Sequence, residues 1–402
     1  MRQKHSDEVL IHNFRESITY LADDSLKGRE TGSSGEWIAA EYIKERFIHA
    51  GLQAAGEDGF FQHFSKKPHP PVQKIEKNNS VSFGMGTVKE IKAKNVIAKW
   101  YTDSKDWIVI GAHYDHLGMG DESSLFTEGR EIHNGADDNA SGVAMLLELA
   151  EQLKTTELNS NVLFIAFSGE EKGLWGSNYF CDHPTIDFAK VKYMLNFDMV
   201  GRMKEENKLA IYGNGTSPSW NEQIQKANSD SLNLVLSESG VGPSDHTSFY
   251  LADIPVLHFF TGQHEDYHKP SDDVDKINFP GMVNVFHFVD RLIHNADQVN
   301  EFVFTKTKDE DNENAPDFKV TLGVIPDYLF DGLGMRMDGV REDRPAHAAG
   351  MIKGDVVIKI GVDDVTDMKS YMNCLSARAP GDTSLVLIQR NGAEQEMNVI
   401  WD

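Results

Sequence analysis

Between residues 95 and 260 the chain alternates two textures. Short apolar runs occupy 95–100, 107–112, 162–167, 193–197, 209–212 and 255–260, and longer amphipathic segments occupy 139–154 and 218–229, with a third at 280–296. Short continuous apolar runs read as strands buried on both faces, and the longer periodic segments read as the helices that cover them. The alternation predicts an α/β domain with a mixed central sheet and helices on both faces. The short link between 95–100 and 107–112 predicts an antiparallel edge. Upstream, Val9, Leu10, Phe14, Ile18 and Leu21 recur near helical spacing, and a second helix runs from about Glu36 to a C-cap at Gly51. The loop between these helices reads DDSLKGRETGSSG. Residues 52–92 are polar and broken by Pro68, Pro70 and Pro71, which predicts loops and short edge strands.

The texture changes again near the C-terminal end. Residues 305–315, TKTKDEDNENA, are charged and lack apolar periodicity, so they read as a linker between a large domain of 1–304 and a small one of 316–402. The small domain reads as mostly β structure, with many Gly and Asp turns and one helix at 367–378.

Composition narrows the function. The 402 residues are 40% hydrophobic, a globular composition, and 39 Lys and Arg against 63 Asp and Glu give a net charge of -24. Such a surface repels nucleic acid and anionic lipid. No apolar run approaches the roughly 20 residues of a transmembrane helix. The opening MRQKHSDEVLIHNF has no apolar signal core. Cys181 and Cys374 lie far apart, are expected in different domains and unpaired, and have no zinc or redox spacing.

The chemistry lies where apolar runs end or helices begin. IVIGAHYDHLG puts His113 and Asp115 just past a strand, and NGADDNASG puts Asp137 and Asp138 at a helix start. IAFSGEEKGLWGS places Glu170 and Glu171 past another strand, YMLNFDMVGR places Asp198 at a strand end, and EDYHKPSDD places Tyr267 and His268 in a loop. Taken singly, the His-Tyr-Asp could be a surface turn and the Asp-Asp pair a helix cap. The Glu-Glu pair beside a buried run is harder to place without a cation, because adjacent carboxylates repel. Open α/β sheets bind ligands at the carboxyl ends of their strands, and a metal site accounts for all five segments at once. Imidazole and carboxylate donors suit zinc, with cobalt or manganese as substitutes.

Jointly these segments resemble the co-catalytic di-zinc aminopeptidase family, which also includes glutamate carboxypeptidase II and the glutaminyl cyclases, over about residues 8–300. The resemblance implies two zinc ions bridged by Asp138, with His113 and Asp198 on one ion and Glu171 and His268 on the other. It implies Glu170 as general base, Asp115 as the carboxylate that holds the His113 ring, and Tyr267 as a donor to the developing oxyanion. It also implies a cis peptide bond between Asp138 and Asn139. The segment PSDHTSF resembles one that lines the family's substrate site, so Asp245 and His246 are candidates for substrate contact or for buttressing, against a helix cap by Ser244 or Asp245. His116 and Asp137 read as outer or structural neighbours of the ligands. His264, Glu265 and Asp266 read as a solvated loop, Trp175 as packing, and Phe249, Phe259 and Phe260 as core more than as a substrate wall. Residues 52–94 are too short for the protease-associated domain inserted in some members.

Residues 316–402 resemble a bacterial PDZ domain, carried by the Pro345–Val357 run PAHAAGMIKGDVV and the turn at 361–364. The resemblance implies strand addition by a C-terminal peptide, with 322–325 as the carboxylate loop, or a module that only packs on its neighbour. The expected activity is hydrolysis of the N-terminal bond of peptides with a free amino end. The alternatives are a glutaminyl cyclase or another hydrolase on the same fold, or an inactive adaptor working through its PDZ domain. Family habit places the protein in the periplasm or outside the cell, with the cytoplasm as the alternative.

Overall fold

The computed structural model describes residues 6–67, 72–77, 80–85, 89–102, 104–120, 123–153, 157–229, 232–307, 320–327, 330, 332–340, 344–366 and 368–401. Helix α1 (Asp7–Leu21) is capped by Ser6, whose side chain accepts from Val9 N, and α2 (Ser34–His49) is capped by Ser33. Four short strands follow: β1 (Gln53–Ala54), β2 (Phe61–Lys66), β3 (Val72–Lys77) and β4 (Ser80–Met85). The irregular stretch therefore holds the edge strands expected of it, plus a separate β3–β4 hairpin.

The main sheet is built from β5 (Ile91–Trp100), β6 (Trp107–His113), β7 (Asn161–Phe167), β8 (Val191–Phe197), β9 (Lys208–Tyr212), β10 (Asn233–Ser237) and β11 (Val256–Phe260). Its order is β1-β5-β7-β6-β8-β11-β9-β10, with β2 also on β5. Here the expectation of an antiparallel pair between 95–100 and 107–112 fails. Strand β5 is antiparallel, but to β7, which lies between it and β6. The short link spans the width of one intervening strand, and link length alone does not reveal that.

Side chains on these strands alternate between two cores, as pleating requires. Ile108, Ile110, Ala112, Phe164 and Leu195 join one core with α1, α2, α3 (Gly142–Leu153) and α7 (Phe279–Asp297), and with α5 (Trp220–Ala227). Val109, Leu163, Ile165 and Met194 join the other, covered by α4 (Trp175–Asp182) and α6 (His246–Tyr250). Both faces are apolar, which explains the unbroken runs in the sequence.

Thr305 N donates to Thr216 O at 2.8 Å, and Thr307 N donates to the Tyr250 hydroxyl at 2.9 Å. Residues 305–307, read as the start of a linker, are thus tied to the large domain. The rest of that stretch, 308–315, lies outside the described residues. Beyond it stand β12 (Val324–Pro326), β13 (Met335–Val340), α8 (Pro345–Ala348), β14 (Val356–Ile360), β15 (Asp363–Asp364), α9 (Met368–Ser376), β16 (Thr383–Arg390) and β17 (Ala393–Ile400). They enclose their own core around Leu322, Val357, Ile388 and Trp401. The hairpin expected after β14 is present, with Ile360 opposite Asp363. Both cysteines are free. Among the described residues no helix is long and apolar enough to cross a membrane.

Phe164 is fully buried, with its ring centroid 6.2 Å from that of Phe47. Phe164→Ala should cost about 3–5 kcal/mol of stability, because the sheet cannot close over the space. Urea unfolding of the two proteins checks this, and a loss near zero would mean that the core relaxes freely there.

Candidate metal centre

Four neighbouring strands, β7, β6, β8 and β11, run parallel, so their carboxyl ends share one edge. His113 closes β6, Glu170 and Glu171 follow β7, Asp198 follows β8, and the loop after β11 carries Tyr267 and His268. Asp138 comes from the turn that opens α3, and its bond to Asn139 is cis, as expected. Residues up to 155 positions apart thus meet at one edge.

Two donor groups form there. His113, Asp138 and Asp198 are one; His116, Asp138 and Glu171 are the other, and within each the ligand atoms lie within 4.8 Å of one another. His268 joins the second group, with Nε2 3.2 Å from Asp138 Oδ2 and 3.5 Å from Glu171 Oε2. Across the centre, His113 Nε2 lies 3.4 Å from Asp138 Oδ1 and 3.3 Å from Asp198 Oδ1. The two oxygens of Asp138 therefore face different imidazoles.

The outer ring nitrogens set the tautomers. His268 Nδ1 donates to Ser123 O at 2.8 Å, and His113 Nδ1 donates to Asp115 O at 3.2 Å. A carbonyl only accepts, so both Nδ1 atoms carry hydrogen and, in the neutral ring, both Nε2 lone pairs point at carboxylate oxygens. Lone pairs aimed at lone pairs need a cation between them, either a proton on each ring or a metal ion. The protonated alternative is visible in the electrostatics. Burial pulls His268 down, yet Glu171 and Asp138 lift it to about 9. Burial likewise opposes His113, and Glu170 and Asp198 carry it well above the usual imidazole range. Asp138 moves the other way: burial raises it, but His116, His113 and His268 hold it well below the ordinary carboxylate range. The donor set thus fits a divalent cation of the zinc type, which takes imidazole nitrogen and carboxylate oxygen.

The supporting groups are also in place. Asp115 Oδ2 accepts from Thr31 Oγ1 at 2.7 Å, and its Oδ1 accepts from Glu170 N at 3.1 Å. Its carboxylate is 3.7 Å from His113 Nδ1, so the ring is held by the Asp115 backbone carbonyl, and the carboxylate fixes the loop of Glu170 instead. His116 is fully buried, with Nδ1 2.8 Å from Glu171 Oε1, the oxygen turned away from His268. Asp272 accepts from the backbone N–H of Asp137 and of Asp138, both at 3.0 Å. Sequence reasoning missed it, because SDD in a polar loop looks like a surface turn. Burial, then Glu170's carboxylate neighbours Asp198, Glu171 and Asp245, raise Glu170 well above its ordinary value, against the pull of His113.

A cleft of about 90 Å³ opens on this centre, walled by Met199, Tyr212, Phe260, Gln263 and Tyr267. The Tyr267 ring stacks on His268 at 3.8 Å. Asp245 and His246 do not line the cleft. Both are fully buried behind it, with His246 stacked at 4.4 Å on His258, which does line it. They stand behind the wall, the position of a buttress. Asp245 does not cap α6 through its side chain. The expected solvated loop is also corrected. His264 and Asp266 are buried, His264 Nε2 lies 3.2 Å from Asp137 Oδ2, and Asp266 pairs with Arg202 and Lys276; only Glu265 is exposed. Phe260 reaches the cleft, whereas Phe249 and Phe259 are core. Trp175 packs with Phe64 and Ala93.

Residues 95–293 match Peptidase family M28, and residues 307–400 match the PDZ domain family. Aminopeptidase YwaD of Bacillus subtilis (strain 168) is 30% identical over 204 residues, 48% of this chain and 41% of the relative, so the chain spans under half the length of that protein. The solved structure of BSAP, a zinc aminopeptidase from Bacillus subtilis, superposes with a TM-score of 0.56 at 18% identity, covering 74% of this chain and 98% of that one. The glutaminyl cyclase of Porphyromonas gingivalis gives a TM-score of 0.53 at 16% identity, covering 70% and 97%. These two likenesses are of fold.

Glu36 lies behind Asp115 and generates a pH prediction. Its carboxylate accepts from Gly32 N at 2.6 Å and pairs with the Ser168 hydroxyl. Burial first, then Asp115, lifts it from an ordinary 4.5 to about 8. The folded state therefore holds a proton that the unfolded state releases. The stability this confers is full below about pH 4.5 and is lost as pH rises toward about 8, at about 1.4 kcal/mol per pH unit. Glu36→Gln keeps a donor and an acceptor and cannot ionise. Its urea midpoint should overtake that of the parent progressively between about pH 5 and pH 8; parallel profiles would exclude Glu36 as the titrating group.

Proposed function

Residues 95–293 belong to peptidase family M28 and residues 307–400 to the PDZ domain family, and from that premise we propose that the chain is a zinc-dependent aminopeptidase whose site holds two ions. The observation that carries this is the placement of Asp138, whose two oxygens face His113 and His268 on opposite sides. His113, Asp138 and Asp198 would hold one ion, and Asp138, Glu171 and His268 the other. The chemistry such ions supply when bound is Lewis acidity toward water and toward the scissile carbonyl.

The chain's own residues do the rest. Glu170 stands beside the donor cluster on the same cleft, tethered by the bond from its N–H to Asp115. It takes a proton from the attacking water and returns it to the departing amine, which calls for a carboxyl raised toward neutral pH. Burial and the neighbouring carboxylates push Glu170 in that direction. Tyr267, on the cleft wall, offers its hydroxyl to the oxyanion that develops at the carbonyl. The carboxylates that face the cleft favour a substrate with a free α-ammonium. The aromatic side of the cleft, Tyr212 and Phe260, receives the first side chain of the peptide. In the small domain, Gly323 turns with φ +70 just before β12, an arrangement suited to capturing the terminal carboxylate of a second peptide.

Glu170→Gln should retain its zinc and lose at least about 100-fold in kcat, with metal content read by elemental analysis. Loss of zinc along with activity would make Glu170 a ligand instead of the base. A panel of aminoacyl anilides beside their N-blocked forms tests the specificity. Cleavage should require the free amine, and equal turnover of blocked substrates would remove the aminopeptidase reading.

A further inference from the structure

Arg29 lies in the polar loop between α1 and α2, yet its side chain is only 1% exposed. A buried guanidinium ordinarily meets a carboxylate. This one donates to four carbonyls: Nε to Tyr114 O at 3.0 Å, Nη1 to Leu21 O and Asn134 O at 2.5 Å each, and Nη2 to Gly135 O at 3.0 Å. Tyr114 stands between His113 and Asp115, and Asn134 and Gly135 lead into Asp137 and Asp138. The fork therefore joins the backbones of two loops that carry ligands from different parts of the chain.

The backbone around Arg29 completes the clamp. Arg29 O accepts from His116 N at 3.2 Å, and Gly28 O accepts from Gly118 N at 3.0 Å. Lys27, Gly28 and Arg29 all have positive φ, at 48°, 70° and 49°. Two of these are not glycine, a conformation kept only where surrounding contacts impose it. A Cβ on Gly28 would lie 2.4 Å from Gly118 O and 2.5 Å from His133 O, so the loop is seated tightly against the ligand segment.

We propose that Arg29 is a positioning residue for the metal centre, setting the spacing between the His113–Asp115 loop and the Asp137–Asp138 turn so that both halves of the donor set meet. This rests on the reading that the centre binds zinc, which titration of the parent protein tests separately. Coulomb's law and geometry predict opposite effects of removing this residue. As a charge alone, the guanidinium repels a bound cation, and its loss would tighten zinc binding. As a clamp, its loss separates the ligand loops and weakens binding.

Zinc titrations against a chromophoric chelator decide between these effects in the full chain, with thermal unfolding recorded for metal-free and zinc-loaded forms. Arg29→Lys keeps the charge and loses the fork; Arg29→Met loses both. Each should bind zinc at least about tenfold more weakly, the size of effect seen when groups supporting metal ligands are removed. The rise in Tm on adding zinc should shrink in both. Gly28→Ala leaves the guanidinium in place and displaces the loop, and should weaken zinc binding in the same sense, which keeps the test decisive if the Arg29 variants do not fold. Tighter binding by Arg29→Met with parental binding by Arg29→Lys would overturn the proposal in favour of a charge effect. Equal Tm losses in both forms with affinity within about twofold of the parent would overturn it in favour of a general structural role. A parent that binds no zinc would instead sink the function proposed above.

Discussion

The constraint on which the site depends is the meeting of bare imidazole nitrogens with carboxylate oxygens at the shared edge of four parallel strands. His113 and His268 each use Nδ1 to bind a backbone carbonyl, which leaves Nε2 directed at Asp138. That arrangement is repulsive until a cation enters. It is also costly to build, because buried carboxylates lose the water that would otherwise stabilise their charge. Parallel strands make it possible. Their ends align without any local sequence linking them, and the loop N–H groups of Glu170 and Gly201 hold Asp115 and Asp137 in place.

The surrounding residues manage this excess of negative charge by different means. Asp272 is spent on the N–H groups of Asp137 and Asp138, which fixes the turn before α3. Thr31 and the Glu170 N–H occupy Asp115. Arg29 brings a permanent cation without pairing with any one acid, and burial lowers it only to about 10 because Asp138, Asp115, Asp272 and Glu171 oppose the fall. It therefore stays charged at neutral pH, close enough to ease the repulsion among carboxylates, while its own hydrogen bonds go to carbonyls.

What could be read from the sequence follows from this physics. The strands were legible because both faces of the sheet are apolar, and the donor residues because acids and histidines follow those apolar runs or open a helix. Strand order was not legible, since β7, which begins 48 positions after β6 ends, enters between β5 and β6. Arg29 was hidden for a related reason. Its acceptors are carbonyls, which have no signature in residue type, and the furthest lies 106 positions away. His264 and Asp266 looked solvated within QHEDYH because their partners Asp137 and Arg202 are also distant in the chain. Asp245 and His246 carry a recognisable motif, but a motif does not say on which side of the wall a residue sits.

Two adjacent acidic pairs show how position, and not residue type, assigns a role. In the first pair, Asp137 turns inward, accepting from Gly201 N at 2.7 Å and facing His264, while Asp138 turns toward His113 and His268. In the second, Glu171 is enclosed by His116 and His268, one imidazole at each oxygen. Glu170 lies among the carboxylates of Asp198, Glu171 and Asp245, with His113 opposing them. Nitrogen on both sides of a carboxylate is the surrounding that a shared cation would complete. Burial among other acids raises an acid toward neutrality and suits a group that must take up and release a proton. The two acids of each pair thus meet different surroundings although they are neighbours in the chain.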